Sequence, residues 1–446
     1  MYLYGFYREP VKKSSAAERG KIVLWKIAKV INTHFPTLNE NFEQLEDPRV
    51  RKSYTLAELL TGALFVFIFK EGSRNLYNSD RRDELFRQNF FKVFKVRLPQ
   101  ADTFDALLRV LPPNEIEHIK VKLISSLFEQ KLFREFRFLG KYYHVAVDAT
   151  GISSYEQRHC PHCLTKTSKH GTTTYSHYVL EAKLVTSSGL SISLASEFLE
   201  NTDRKEYEKQ DCEQKAFVRL ASKIKKFFPR LPICLLADGL YPNNTVFDIC
   251  QQNNWLFIIT LKDGSLKSFN AEANLLRNTA KKQTHQRADS ATLTTLDYAY
   301  LNDLDYGNRK YSWIECCEST WHKETKTTTN QRFVYITNVT QKSDIVVSTI
   351  FSGRLRWKIE NEGFNELKNN GYELQHKYSR VSYPAMQNYY HILQIAHAIN
   401  QLVEKTNAIK TLLKEYSKQT KENLWRNLLA YMAMIDFKNE VETVPD

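Results

Sequence analysis

Between residues 55 and 136 apolar side chains recur at spacings of three and four. Leu56, Leu59, Leu60, Ala63, Leu64 and Phe67 mark one face of a helix. Pro112-Pro113 interrupts this texture after Leu107, Leu108 and Leu111, and a new helix is predicted from about Asn114. Near residue 142 the pattern changes. Tyr142-Tyr143-His144-Val145-Ala146-Val147 is rich in aromatic and β-branched residues and ends in Asp148. Two further strand-like runs, 175–186 and 190–198, meet at Ser187-Ser188-Gly189, so a three-strand meander is predicted. A helix follows over 211–228, with Ala216, Phe217, Leu220, Ala221 and Ile224 on one face. Ile233-Cys234-Leu235-Leu236-Ala237 reads as a buried strand, again ending in Asp, here Asp238. A helix over 246–253 and a strand over 255–261 complete the series.

Three strands, helix, strand, helix, strand is an order that resembles the ribonuclease H-like fold. Beyond it, residues 262–330 are polar, with strand-like patches at 311–317 and 333–337, and predict a β-rich insertion over about 262–340. A long helix is predicted over 343–368 and, after Gly371, a helical tail over 385–437. The expected class is α/β: a ribonuclease H-like mixed sheet with a β-rich insertion, between a helical N-terminal domain and a helical C-terminal tail. The expected boundaries are 1–140 for the helical domain, 141–380 for the sheet domain and 381–446 for the tail. The first forty residues, with Lys12, Lys13, Arg19, Lys21 and Lys26, read as a basic arm or a short helix.

Charge changes the picture next. The 446 residues carry a formal net charge of +13, which favours polyanionic partners, nucleic acid first and anionic membrane second, over mere solubility. Aromatic residues at 13% argue against bulk disorder. The longest apolar run, 59–69, contains Thr61 and Gly62 and falls short of the ~20 apolar residues that span a bilayer. With no secretory pattern in the opening residues and an odd count of 7 Cys, the expected setting is the reducing cytoplasm, at the nucleoid. Arg74, Arg81, Arg82, Arg87, Lys92, Lys95 and Arg97 make the helical region either a solvated basic face or a DNA-contacting domain.

Strand-terminal carboxylates at Asp148 and Asp238 become chemically interesting only if a third acid joins them, since one strand-end Asp is usually a turn former. That acid is sought in the run from Arg354 to Lys368. On a regular helix Arg356, Glu360, Phe364 and Lys368 share one stripe, while Glu362 points about 200° away from Glu360. Three carboxylates of this kind suit Mg²⁺ or Mn²⁺, and a pair of such ions suits phosphoryl transfer.

These segments resemble the DDE-type insertion-sequence transposases. Arg356-Trp357-Lys358-Ile359-Glu360 resembles the catalytic helix, whose signature is Tyr-x2-Arg-x3-Glu-x6-Lys. Val147-Asp148-Ala149-Thr150-Gly151 and Leu236-Ala237-Asp238-Gly239-Leu240-Tyr241 resemble the strands of the first and second Asp. Lys209-Gln210-Asp211-Cys212-Glu213 and Gly371-Tyr372-Glu373-Leu374-Gln375-His376 are similar to segments of one branch of that family. The resemblance runs from about residue 40 to 400. Gly353 stands where the signature has Tyr, and Lys368 falls one residue late. What the resemblance implies is an enzyme that binds the inverted repeats of a mobile element, cuts the strand at its end and joins the freed 3′-hydroxyl to target DNA. Asp148, Asp238 and Glu360 would hold two metal ions, and a dimer would form on double-stranded DNA. Arg354, Arg356, Lys358, Lys368, Lys377 and Arg380 are the candidate phosphate contacts, and Tyr241 either stacks on DNA or fills a core. A nuclease without strand transfer and an inactive DNA-binding protein are the competing readings.

Cys160-Pro161-His162-Cys163 is half of a zinc site by spacing, with His170, His177 and Cys212 as candidate remaining ligands. Free thiols in an exposed loop are the competing reading.

Overall fold

Ser15 and Thr55 each accept a hydrogen bond from the backbone N–H three residues on, while Glu18 and Glu58 reach back to the cap. These capping boxes start the helices Ala16–His34 and Leu56–Ile68. In the computed structural model, which describes residues 14–50, 52–201, 210–415 and 420–437, the chain divides into two compact units. One joins Met1–Leu123 to Leu367–Asp446; the other is Ile124–Glu366.

The first unit is helical. Helix Leu56–Ile68 is buried along its whole length, and helix Tyr383–Glu404 nearly so. A helix without a polar face must be wrapped by others, which is why the tail expected as a separate region, 381–446, shares one core with the N-terminal helices. Asn388 makes the connection specific: its Nδ2 donates to the carbonyls of Leu108 and Leu111 at 2.9 and 2.7 Å, satisfying the end of helix Ala101–Val110. Of the basic arm or short helix expected in the first forty residues, the described part forms a helix, Ala16–His34, of 19 residues, which buries Val23, Leu24 and Ile27. Lys12 and Lys13 lie outside the described residues. Several arginines considered for DNA serve the fold instead. Arg97 forks onto Glu58 at 2.5 and 2.7 Å, Arg74 pairs with Asp105 at 3.0 Å, and Arg81 donates to the Leu98 carbonyl at 2.9 Å.

The second unit is a mixed sheet with helices against it. Its strands are β1 (Tyr143–Tyr155), β2 (Leu164–Thr167), β3 (Thr173–Val185), β4 (Ser191–Leu199), β5 (Ile233–Ala237), β6 (Leu256–Thr260), β7 (Lys281–Ala288), β8 (Thr292–Tyr306), β9 (Arg309–His322) and β10 (Thr327–Thr337). Their order is β2-β3-β1-β5-β6-β10-β9-β8-β7, with β4 also on β3. Helices Glu213–Phe227 and Asn244–Gln252 make the crossovers into the parallel strands β5 and β6. Every residue of β5 is buried, as expected of a parallel strand covered on both faces. The insertion is β-rich as predicted, but β7 and β8 escaped the sequence reading, whose patches at 311–317 and 333–337 fall in β9 and β10. Lys281-Lys282-Gln283-Thr284-His285-Gln286-Arg287 has no apolar alternation, so β7 exists as an edge paired to β8 rather than through a buried face of its own. No helix among the described residues is long and apolar enough to cross a membrane.

Candidate active site

The first two acids follow a pair of parallel strands. Tyr143 to Ala146 of β1 pair with Ile233 to Leu236 of β5. Two residues beyond the last pair come Asp148, still within β1, and Asp238, just past the end of β5. β1 does not end at Asp148, as the sequence pattern suggested. It continues to Tyr155, because β3 pairs with it throughout while β5 stops at Ala237. The site therefore opens at the carboxyl end of β5, beside the middle of β1. Leu240 N–H donates to Asp238 Oδ1 at 2.8 Å and fixes that side chain in its turn.

Alternation puts Ala146 and Asp148 on one face of the sheet. Ala146, Cys234 and Leu236 pack there with Ile359 and Phe364 in one core cluster. The segment carrying Glu360 is thus pressed against the acids' face. It is not the single helix predicted over 343–368. An α-helix spans Val346–Arg354; then the N–H groups of Leu355, Arg356, Lys358 and Ile359 bond to carbonyls three residues back; then Ile359–Asn365 is π-helical. Tightening followed by widening re-aims the side chains relative to a uniform helix, and such π segments recur at functional sites. Gly353 permits the approach of the helix to β10, since a Cβ there would lie 2.7 Å from the Tyr335 ring.

Glu360 and Glu362 separate clearly. Arg356 Nη1 lies 2.6 Å from Glu360 Oε1 and 3.9 Å from Asp148 Oδ2, so its guanidinium bridges those two acids. Glu362 pairs instead with Lys358. Of the stripe expected to carry Glu360, Phe364 is buried and Lys368 belongs to the helical unit.

Glu213 is a fourth acid at the site that sequence reasoning missed. It occupies the first turn of helix Glu213–Phe227, accepts a hydrogen bond from the Tyr241 hydroxyl at 3.3 Å, and feels the charge of Asp238. An acid in the first turn of a helix is ordinary, so only the tertiary crowding distinguishes it. Burial, then Asp238, raises Glu213 above the usual carboxylate range against the pull of the Tyr241 hydroxyl. Asp148 is pushed up to about 7, first by burial and then by the charge of Glu360, with Glu213 adding to it; the Ala149 N–H and Arg356 pull the other way.

Asp148 and Glu213, the two carboxylates that burial raises, lie among other acids and are favoured by a neighbouring cation. Two side chains stand in for one: Arg356 between Asp148 and Glu360, and Lys262, whose Nζ lies 3.5 Å from Asp238 Oδ2. Gly239 clears the path of Lys262, since a Cβ there would fall 2.6 Å from Lys262 Cγ. Carboxylate oxygens are the donors that Mg²⁺ and Mn²⁺ take, but among the described residues the group of three donors whose ligand atoms lie within 4.8 Å of one another is Cys160, Cys163 and His177, not the acids.

The sequence-derived contact residues divide. Tyr241 is buried, its ring edge-on to Phe217 at 5.5 Å, so it positions Glu213 and presents no face for stacking on DNA. Arg354 is tied to Glu318 at 3.2 Å and to Gln331 at 3.1 Å, and lies over the Phe333 ring. Arg356 is 7% exposed and engaged with the acids. Lys358, with Arg287, Arg354 and the exposed Trp357, lines a groove of about 640 Å³. Lys368, Lys377 and Arg380 lie in the helical unit, Lys368 and Lys377 partly buried and Arg380 exposed.

The sulfur candidates also divide. Cys160, Cys163 and His177 converge, while His170 and Cys212 do not join them. His170 sits exposed in the turn between β2 and β3, and Cys212 is exposed as the residue before helix Glu213–Phe227. Burial holds His177 down to about 4, helped by His159 and His162.

Compared with protein-family models and with curated proteins, the chain matches none.

Proposed function

We propose that the chain is a DDE-type transposase with a ribonuclease H-like catalytic unit, acting on the double-stranded DNA of transposon ends and target, and working as a dimer on that DNA. The observation that supports this reading is the Arg356 guanidinium set between Asp148 of β1 and Glu360 of the π-helical segment, with Asp148 desolvated and Asp238 following the neighbouring strand β5.

In this reading Asp148, Asp238 and Glu360 hold two divalent cations. Such cations supply activation of the attacking oxygen and stabilisation of the leaving oxygen in phosphoryl transfer. The protein's own groups do the rest. Glu213, steadied by Tyr241, adds negative charge beside Asp238. Arg356 and Lys262 neutralise the acids in the resting protein and turn to the phosphate backbone when cations replace them. Lys358, Arg287 and Arg354 line the groove with positive charge beside the acids Asp289 and Glu318, and Trp357 and Phe351 add aromatic rings, groups that can take a DNA strand.

The test is Mg²⁺- or Mn²⁺-dependent cleavage of DNA bearing the inverted repeats that flank the coding region. Asp148→Asn, Asp238→Asn and Glu360→Gln should each abolish cleavage while DNA binding persists, and Glu362→Gln should cleave. Joined products distinguish a transposase from a nuclease on the same acids. A fully active Asp238→Asn protein defeats the proposal, as does an active Glu360→Gln beside a dead Glu362→Gln.

A further inference from the structure

We propose that Cys160 Sγ, Cys163 Sγ and His177 Nε2 hold a structural zinc ion that staples the tip of β1, β2 and β3, a site separate from the acids. The three donor atoms stand at the corners of one small triangle. Sγ–Sγ is 3.7 Å, and Nε2 lies 3.5 Å from Cys160 Sγ and 3.4 Å from Cys163 Sγ. A tetrahedral ion with Zn–S near 2.3 Å and Zn–N near 2.0–2.1 Å has edges of about 3.8 Å between sulfurs and about 3.5 Å between sulfur and nitrogen. The observed triangle is one face of that tetrahedron. Its fourth corner takes a nitrogen or oxygen ligand.

The location explains why a metal is useful. From Ser154 to Ser176 only Cys163 is buried, so this tip has almost no apolar side chains to hold it together. Cys160 and Cys163 lie in the polar connection from β1 to β2, and His177 sits on β3 opposite Ser153 of β1. One ion therefore ties the loop to β3. Its pull extends toward the acids. Asn201 donates to the Cys163 carbonyl at 3.5 Å and accepts from Asp211 N–H at 3.1 Å, while Gln210 exchanges two hydrogen bonds with Thr165 at 2.8 and 2.6 Å. Asp211 leads directly into the helix whose first turn carries Glu213.

The experiment uses the full chain, expressed in zinc-supplemented medium without a histidine tag and purified without chelator. Elemental analysis should find one zinc per chain, and its X-ray absorption should fit two sulfurs with two nitrogen or oxygen ligands. Exchange for Co²⁺ should give the near-ultraviolet thiolate charge-transfer bands of a two-sulfur site. Cys160→Ser and Cys163→Ser should lose the zinc, whereas His170→Ala and Cys212→Ser should keep it. Should the serine variants fold poorly, titrating the unsubstituted protein with an organomercurial should release zinc in step with loss of two thiols. Zinc-free protein from that medium, a Cys160–Cys163 disulfide in the fresh protein, or zinc lost in Cys212→Ser would each overturn the assignment. None of these readouts depends on DNA cleavage.

Discussion

Glu71 offers a quantitative test of the helical unit. It lies just past helix Leu56–Ile68, 5% exposed, with its N–H bonded to the Val66 carbonyl at 3.0 Å. Asp80, on helix Arg74–Arg82, is its charged neighbour. Burial, then the Asp80 charge, then a hydrogen bond that protonated Glu71 donates to Asp80 push Glu71 from 4.5 up to about 9. A carboxyl group whose folded pKa is raised binds its proton more tightly in the native state than in the unfolded chain. Its native state therefore loses stability as pH climbs from the unfolded value toward the folded one, and the loss is complete above the latter. Between 4.5 and pH 7 this amounts to ~3 kcal/mol, at about 1.36 kcal/mol per pH unit, an upper figure because Asp80 is only half buried and water screens the pair. Glu71→Gln mimics the protonated acid in shape and keeps a donor toward Asp80. Its advantage should vanish near pH 4.5, approach ~3 kcal/mol at pH 7 and grow toward pH 9. For a unit of this size that corresponds to a melting temperature raised by roughly 6–12 °C at pH 7. Thermal unfolding of both proteins at pH 5, 7 and 8.5 measures it. A variant that melts lower than the parent at pH 8.5, or a difference independent of pH, refutes the reasoning.

Other outcomes follow from the same contacts. Glu213→Gln keeps an acceptor for Tyr241 but removes a charge from the acid cluster, so the Mg²⁺ concentration for half-maximal cleavage should rise about 10-fold with DNA affinity unchanged; an unchanged Mg²⁺ requirement would remove Glu213 from the site. Gly353→Ala should cost about 1–3 kcal/mol, since its Cβ would meet the Tyr335 ring at 2.7 Å, and Tyr335→Val in the same chain should recover part of it in urea unfolding. Asn388→Leu leaves the buried carbonyls of Leu108 and Leu111 without their donor and should cost ~2–4 kcal/mol; calorimetry showing a neutral change would mean those carbonyls find other partners.

Much of the element order was legible in the sequence, because burial imposes a local period that the chain must obey. The apolar face of Ala216, Phe217, Leu220, Ala221 and Ile224, and the unbroken apolar run of β5, needed no partner to be recognised. The same texture located Asp148, Asp238 and the segment holding Glu360. Tertiary structure decided what those residues became. Pairing with β3 carried β1 past Asp148, and the parallel register with β5, which ends at Ala146 and Leu236, left each Asp two residues beyond the last pair. Packing of Ile359 and Phe364 on the sheet goes with a bend from tight to wide helix, and Arg356, an i,i+4 partner of Glu360, reaches Asp148 only because the segment lies against β1. Glu213, Tyr241 and His177 acquired their places only from neighbours distant in the chain. The division has one physical cause: periodicity reports whether a side chain faces the interior, whereas register, strand pairing and crowding of charge depend on which other segment waits there.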